Sequence, residues 1–103
     1  SFQAQAGNLS YTCFAGKLDK ISVIGNRILT KCVPTSENPA FVKDLPFASA
    51  SMDQKGVDLM FQLLLKGKEL NKNILFYIDE DHKTNPAGCD PGNCRRLVGV
   101  TLE

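Results

Sequence analysis

Two groups of residues in this 103-residue sequence could do chemistry: four cysteines and one short ionisable run. The cysteines stand at 13, 32, 89 and 94. An even number in a short chain favours disulfides, and with them an oxidising compartment. Four cysteines allow three pairings. In Cys89-Asp90-Pro91-Gly92-Asn93-Cys94 a Pro-Gly turn would bring both ends together, which favours Cys89 with Cys94 and leaves Cys13 with Cys32. Zinc is the rival, and it prefers paired ligands two to four residues apart. The second pair could just meet that spacing, but 18 residues separate Cys13 from Cys32. No Cys-x-x-Cys motif occurs, and the single histidine, His82, lies far along the chain from the first pair. Free buried thiols remain the third reading.

The ionisable run is Asp79-Glu80-Asp81-His82. Paired carboxylates beside an imidazole can bind a metal or exchange protons. Neighbouring side chains on an extended chain point to opposite faces, so these groups converge only in a specially shaped loop. The calcium-loop pattern with its central glycine is missing. A solvated turn is expected, with no metal and no cofactor. For nucleophilic catalysis the lone histidine would have to serve any serine or cysteine, and no Gly-x-Ser-x-Gly frame surrounds one. The eight glycines are scattered singly, so no phosphate-cradling loop forms. The expectation is a protein that is not an enzyme; only a glycosidase-type carboxylate pair, invisible in sequence, stands against it.

Recognition chemistry is easier to find. Tyr11, Tyr77 and the stretch around Asn71 and Asn73 offer aromatic faces beside amide and hydroxyl groups, the combination that suits a sugar's C–H face and polar rim. The candidate ligand-binding residues are Tyr11, Asn73, Tyr77, Asp79, His82 and Lys83. The competing reading makes both tyrosines core rings.

These residues must be positioned by a β-rich framework. Leu9 to Phe14, Leu18 to Ile24 and Arg27 to Val33 are dominated by β-branched and aromatic residues and punctuated by Gly16-Lys17 and Gly25-Asn26. Such two-residue connections suit tight hairpins, so a three-stranded antiparallel meander is expected. Pro34 to Ser49 reads as an irregular connection with at most one short strand, its apolar islands Phe41-Val42 and Leu45-Pro46-Phe47 requiring burial.

Ser51-Met52-Asp53-Gln54 fits a capping box. Val57, Met60, Phe61, Leu64 and Leu65 follow at helical steps, and Gly67 offers a left-handed stop, which predicts one central amphipathic helix over about 52–66. Leu59 and Leu63 widen the apolar surface beyond one stripe. Either the helix lies deep in the fold, or these two residues line an oligomer interface. Ile74 to Ile78 and Leu97 to Leu102 read as core strands, with Gly99 marking a bulge or close packing.

Composition sets the outer bounds. At this length one hydrophobic core and a single domain over 1–103 are expected, with residues 1–7 a disordered N-terminal segment. A formal charge of +1 gives no field to attract nucleic acid, and Arg95-Arg96 reads as a solvated strand end. No apolar run approaches the ~20 residues of a membrane span, so no membrane insertion is expected. Ala4-Gln5-Ala6 has the form of a signal-peptidase site, either the trace of a removed signal or a chance match.

Strands, irregular connection, one helix, then two strands is an order that resembles the oligonucleotide/oligosaccharide-binding (OB) barrel. The fold class expected is β-rich α+β, a five- or six-stranded antiparallel OB-like barrel. The stretch from Ser51 through Glu103 is similar to the B subunits of bacterial toxins, of the cholera-toxin or the subtilase-cytotoxin and pertussis-like type. The latter resembles this chain in having one wide cysteine pair and one close pair. Here the close pair precedes the last strand, which departs from that pattern.

The resemblance implies a secreted or periplasmic bacterial protein that forms a pentameric homo-oligomer, places its helices around a pore and binds a cell-surface glycan or a protein partner. No sugar-binding motif of that family can be placed on this sequence residue by residue. The alternative function is a small periplasmic structural or inhibitory protein that docks one protein partner.

Overall fold

The computed structural model describes residues 7–103, so Ala4-Gln5-Ala6 and all of the expected disordered segment except Gly7 lie outside the described residues. Six strands and two α-helices follow in the order β1 (Asn8–Cys13), β2 (Leu18–Ile24), β3 (Arg27–Cys32), α1 (Ala40–Asp44), β4 (Phe47–Ser51), α2 (Val57–Leu70), β5 (Ile74–Asp79) and β6 (Cys94–Leu102). A single 3-10 turn, His82–Thr84, lies between β5 and β6. The strands form one mixed sheet in the order β1-β5-β6-β4-β3-β2.

The class is β-rich α+β, as expected, but the sheet is neither wholly antiparallel nor closed. β4 and β6 run parallel over Phe47–Ser49, and β1 and β2 are the sheet's two free edges. The three-stranded meander is also corrected. β2 and β3 make the expected hairpin around Gly25, whose φ of 58° suits the tight turn. β1 instead pairs with β5, Tyr11 opposite Phe76 and Cys13 opposite Ile74. Gly16, at φ 84°, turns a corner out of the sheet rather than closing a hairpin, and Lys17 O then accepts from Val33 N beyond β3. A tight-turn signal alone does not say which strand the next one will meet.

Two elements lay inside the connection read as irregular. The five residues of α1 bury Val42 completely, too short a run for a helical period to emerge. β4, Phe47-Ala48-Ser49-Ala50-Ser51, is central and buried on both faces at Ala48, Ser49 and Ala50. Its small residues carry no apolar alternation.

The long helix is displaced from the expected span. Ser51 closes β4, its Oγ accepting from Asp53 N at 3.1 Å, while the Gln54 side chain donates to Leu97 O on β6 at 2.8 Å, so the two form no capping box. Left-handed Gly56 precedes α2, and the helix runs through Gly67 to a left-handed Asn71. Its buried face is Val57, Met60, Leu64 and Gly67; Leu65, expected in that face, is exposed. Leu59 is 66% exposed and Leu63 36%, so neither is explained by deeper burial. With Leu70 they form one apolar stripe on the solvent flank of the helix.

The sheet curls tightly around the core of Tyr11, Ile28, Val42, Leu64, Phe76 and Leu97. β1 and β3 are four strand spacings apart in the sheet order, about 19 Å if it were flat. Yet Cys13 and Cys32 form a disulfide with their Cα atoms 5.8 Å apart. Only strong coiling brings these strands together, and the disulfide holds the two sides of the open sheet. A second disulfide joins Cys89 and Cys94.

Candidate functional site

On β5 the alternation of the strand sends Ile74, Phe76 and Ile78 into the core and Leu75, Tyr77 and Asp79 to the other face. Tyr77 lies opposite Ser10 of edge strand β1 on one side and Gly99 of β6 on the other. A Cβ at Gly99 would stand 3.3 Å from Tyr77 Cδ2, so the phenol lies across bare backbone. The register shifts there: Ile78 pairs with Leu97, leaving Val98 as the extra residue of a bulge. Gly99 therefore marks both features anticipated for it.

One step along the face, Asp79 anchors a polar network. Its Oδ1 accepts from Asp81 N at 2.9 Å, and its Oδ2 accepts from Thr84 Oγ1 at 2.8 Å and Arg96 Nη2 at 3.1 Å. Arg96 Nε also donates to Thr84 Oγ1 at 3.2 Å. Partial burial pushes the carboxyl pKa up, but the Asp81 N–H, the Thr84 hydroxyl and the Arg96 guanidinium outweigh it and hold Asp79 below the usual carboxylate range. At neutral pH this group is an ionised, oriented acceptor.

The remaining expected site residues are scattered. His82 and Lys83 occupy the exposed 3-10 turn, which Asp81 caps by accepting from Lys83 N at 2.9 Å. The acidic run thus folds into a capped turn, and among the described residues no group of three His, Cys, Asp or Glu could hold a metal ion. Asn73 sits at the far end of β5, where its Oδ1 accepts from Ala15 N at 2.9 Å. It lies about 20 Å along the strand from Asp79 and does not join it.

Tyr11 is 3% exposed, with its ring against Phe41 and Phe76. It belongs to the core and presents no face to a ligand, because β1 turns alternate residues inward. Burial pushes its phenol pKa upward, and its hydroxyl finds no partner among the described residues.

Three residues of this face escaped the sequence reading: Ser10, Thr84 and Arg96. Ser10 carries no local signal, since only the β1–β5 register places it beside Tyr77. Arg95-Arg96 is not the solvated strand end expected: Arg95 donates to Glu80 O and Pro91 O while Arg96 binds Asp79.

The fold and this face define a disulfide-stapled, curled β-sheet protein in which an aromatic ring lies beside a polar network on one face. No helix among the described residues is long and apolar enough to cross a membrane. No protein-family model and no curated protein matches the chain.

Proposed function

We propose that this chain is an exported, non-enzymatic binding protein, similar to a bacterial toxin B subunit, whose face around Tyr77 holds a cell-surface glycan. The observation that carries the reading is the position of Tyr77: a half-buried ring across Gly99, with the Ser10 hydroxyl opposite and the oriented Asp79–Arg96 pair beside it. A sugar's C–H face stacks on such a ring while its hydroxyls bond the polar rim. The two disulfides favour a secreted or periplasmic location.

The open, curled sheet is read here as an OB-like barrel completed by assembly. Its free edges belong to two different strands, so pairing β1 of one copy with β2 of the next would be heterologous, the type of contact that closes into rings. The stripe of Leu59, Leu63 and Leu70 supplies an apolar face for the same association.

A glycan array probed with the wild type and Tyr77→Ala tests the ligand; retained glycans lost in the variant are expected. A blank wild-type array, or one unchanged by the substitution, ends the glycan reading. Light scattering tests assembly, with an oligomer expected for the wild type and a smaller particle for Leu59→Lys with Leu63→Lys. A monomeric wild type would end the ring reading. The same exposed leucine stripe favours the alternative, a periplasmic protein docking one protein partner, which predicts a monomer, a blank array and one stoichiometric binder blocked by the leucine substitutions.

A further inference from the structure

We propose a second ligand site, separate from Tyr77, in the cleft between the β2–β3 turn and the loop 85–93, and that it takes a small organic carboxylate. The cleft encloses about 410 Å³, within the size range of small-molecule sites, and is lined by Ile24, Asn26, Arg27, Ser51, Pro86 and Ala87. Arg27 is its only charged wall.

The state of Arg27 carries the argument. Its Nη1 donates to Ser49 Oγ at 2.9 Å and its Nη2 to Gly88 O at 3.2 Å. Both acceptors are neutral, so they orient the guanidinium without compensating its charge. The ion pairs among the described residues are Lys66–Glu69 and Arg96–Asp79, and Arg27 is in neither. Two of its five N–H donors are used in these bonds, leaving three with no protein acceptor among the described residues. These two bonds already position the guanidinium, so binding costs little side-chain ordering.

The rest of the lining sets the ligand class. Ser51 Oγ accepts from Asp53 N at 3.1 Å, which leaves its own proton free to donate. The Asp53 carboxylate faces Asn26 Nδ2 at 3.3 Å. Pro86 and Ala87 make an apolar wall on the loop, and Ile24, paired with Arg27 across the β2–β3 hairpin, adds apolar surface beside the guanidinium, a lining suited to a ring or short chain rather than a bare inorganic anion.

That wall is fixed in place. Asn85 Nδ2 donates to both Cys89 O and Cys94 O, at 3.1 and 3.0 Å, and the Cys89–Cys94 disulfide closes the loop. Gly88, at φ 94°, lies against Arg27: a Cβ there would stand 2.9 Å from Nε. The close approach lets its carbonyl orient the guanidinium. β3, which carries Arg27, is three strands from β5 in the sheet order, and no residue of the cleft lining belongs to the Tyr77 face.

Titration of the ¹⁵N-labelled protein with benzoate, benzamide and inorganic phosphate tests the site. Benzoate is expected to give saturable shifts at the amides of Asn26, Arg27 and Ser51, with benzamide and phosphate each at least tenfold weaker. Arg27→Gln should weaken benzoate at least tenfold. Because that change also removes contacts to Ser49 and Gly88, Ile24→Glu serves as the second variant; it sits on an exposed wall, leaves the fold intact and should weaken benzoate by repulsion. Tyr77→Ala should bind benzoate as the wild type does, so this site and the glycan face fail separately. No saturable shift, benzamide as tight as benzoate, phosphate as tight as benzoate, or benzoate binding unaffected by Ile24→Glu would each overturn the assignment.

Discussion

Gly67 of α2 meets Ile74 of β5 with no room for a side chain: a Cβ on Gly67 would stand 2.5 Å from Ile74 Cδ1 and 3.1 Å from Leu102 Cδ1. Helix propensity alone says that Gly67→Ala should stabilise α2 by about 1 kcal/mol. Overpacking a full core costs about 1–3 kcal/mol, and Ile74 is 1% exposed, so the clash should win. The urea midpoint of Gly67→Ala is expected to fall. A midpoint above the wild type's would show that Ile74 moves aside.

The Asp79 network predicts an acid-sensitive contribution to stability. The folded pKa is lowered, so the ionised carboxylate contributes fully above its unfolded value near ~4 and loses that contribution as pH falls through the folded value. Asp79→Asn should cost about 1–3 kcal/mol at pH 7, the range for a hydrogen-bonded charged group. The gap should narrow as pH falls through the lowered folded pKa, where the wild type also becomes neutral. Urea unfolding of both proteins across this range checks it; a gap independent of pH would mean the charge is immaterial.

The two disulfides should differ in weight. Cys13–Cys32 spans 19 residues and Cys89–Cys94 spans five. Loop-closure entropy gives about 3 kcal/mol for the first and about 2 for the second. Paired Cys→Ala variants, compared by thermal unfolding, should rank in that order. Only the first disulfide joins β1 to β3, so its loss should also expand the particle in small-angle scattering.

Tyr11 and Tyr77 should separate cleanly. The Tyr11 hydroxyl is buried without a partner among the described residues, so Tyr11→Phe should be neutral or stabilising by up to about 1 kcal/mol. It should leave any glycan binding unchanged. A loss of binding in Tyr11→Phe would place that hydroxyl in the recognition surface after all.

Local chemistry was legible wherever a residue's role depends on its immediate neighbours. β2, β3 and β5 stand close to where β-branched and aromatic runs place them, and the Gly25-Asn26 turn joins a true hairpin. The long helix was readable from Val57, Met60 and Leu64, although its first turn was misplaced because Ser51 and Gln54 bond to other elements. A cap motif is a local competition, and the β4 strand won it.

Pairing was decided elsewhere. β1 lies beside β5, 61 or more residues away in sequence, because their inward faces share the core of Tyr11, Phe76 and Ile78, and no turn signal encodes that choice. The face around Tyr77 divides the same way. Tyr77 and Asp79 announce themselves by type, but Ser10, Gly99 and Arg96 reach them only through register and a bulge.

Residue order alone thus settled the β-rich class, the helix and the supply of cysteines, since periodicity and composition act over a few residues. The mixed sheet, its curl, the exposed leucine stripe and the orientation of Arg27 are consequences of tertiary structure. Each depends on which distant apolar faces meet, and that is settled by burial summed over the whole core.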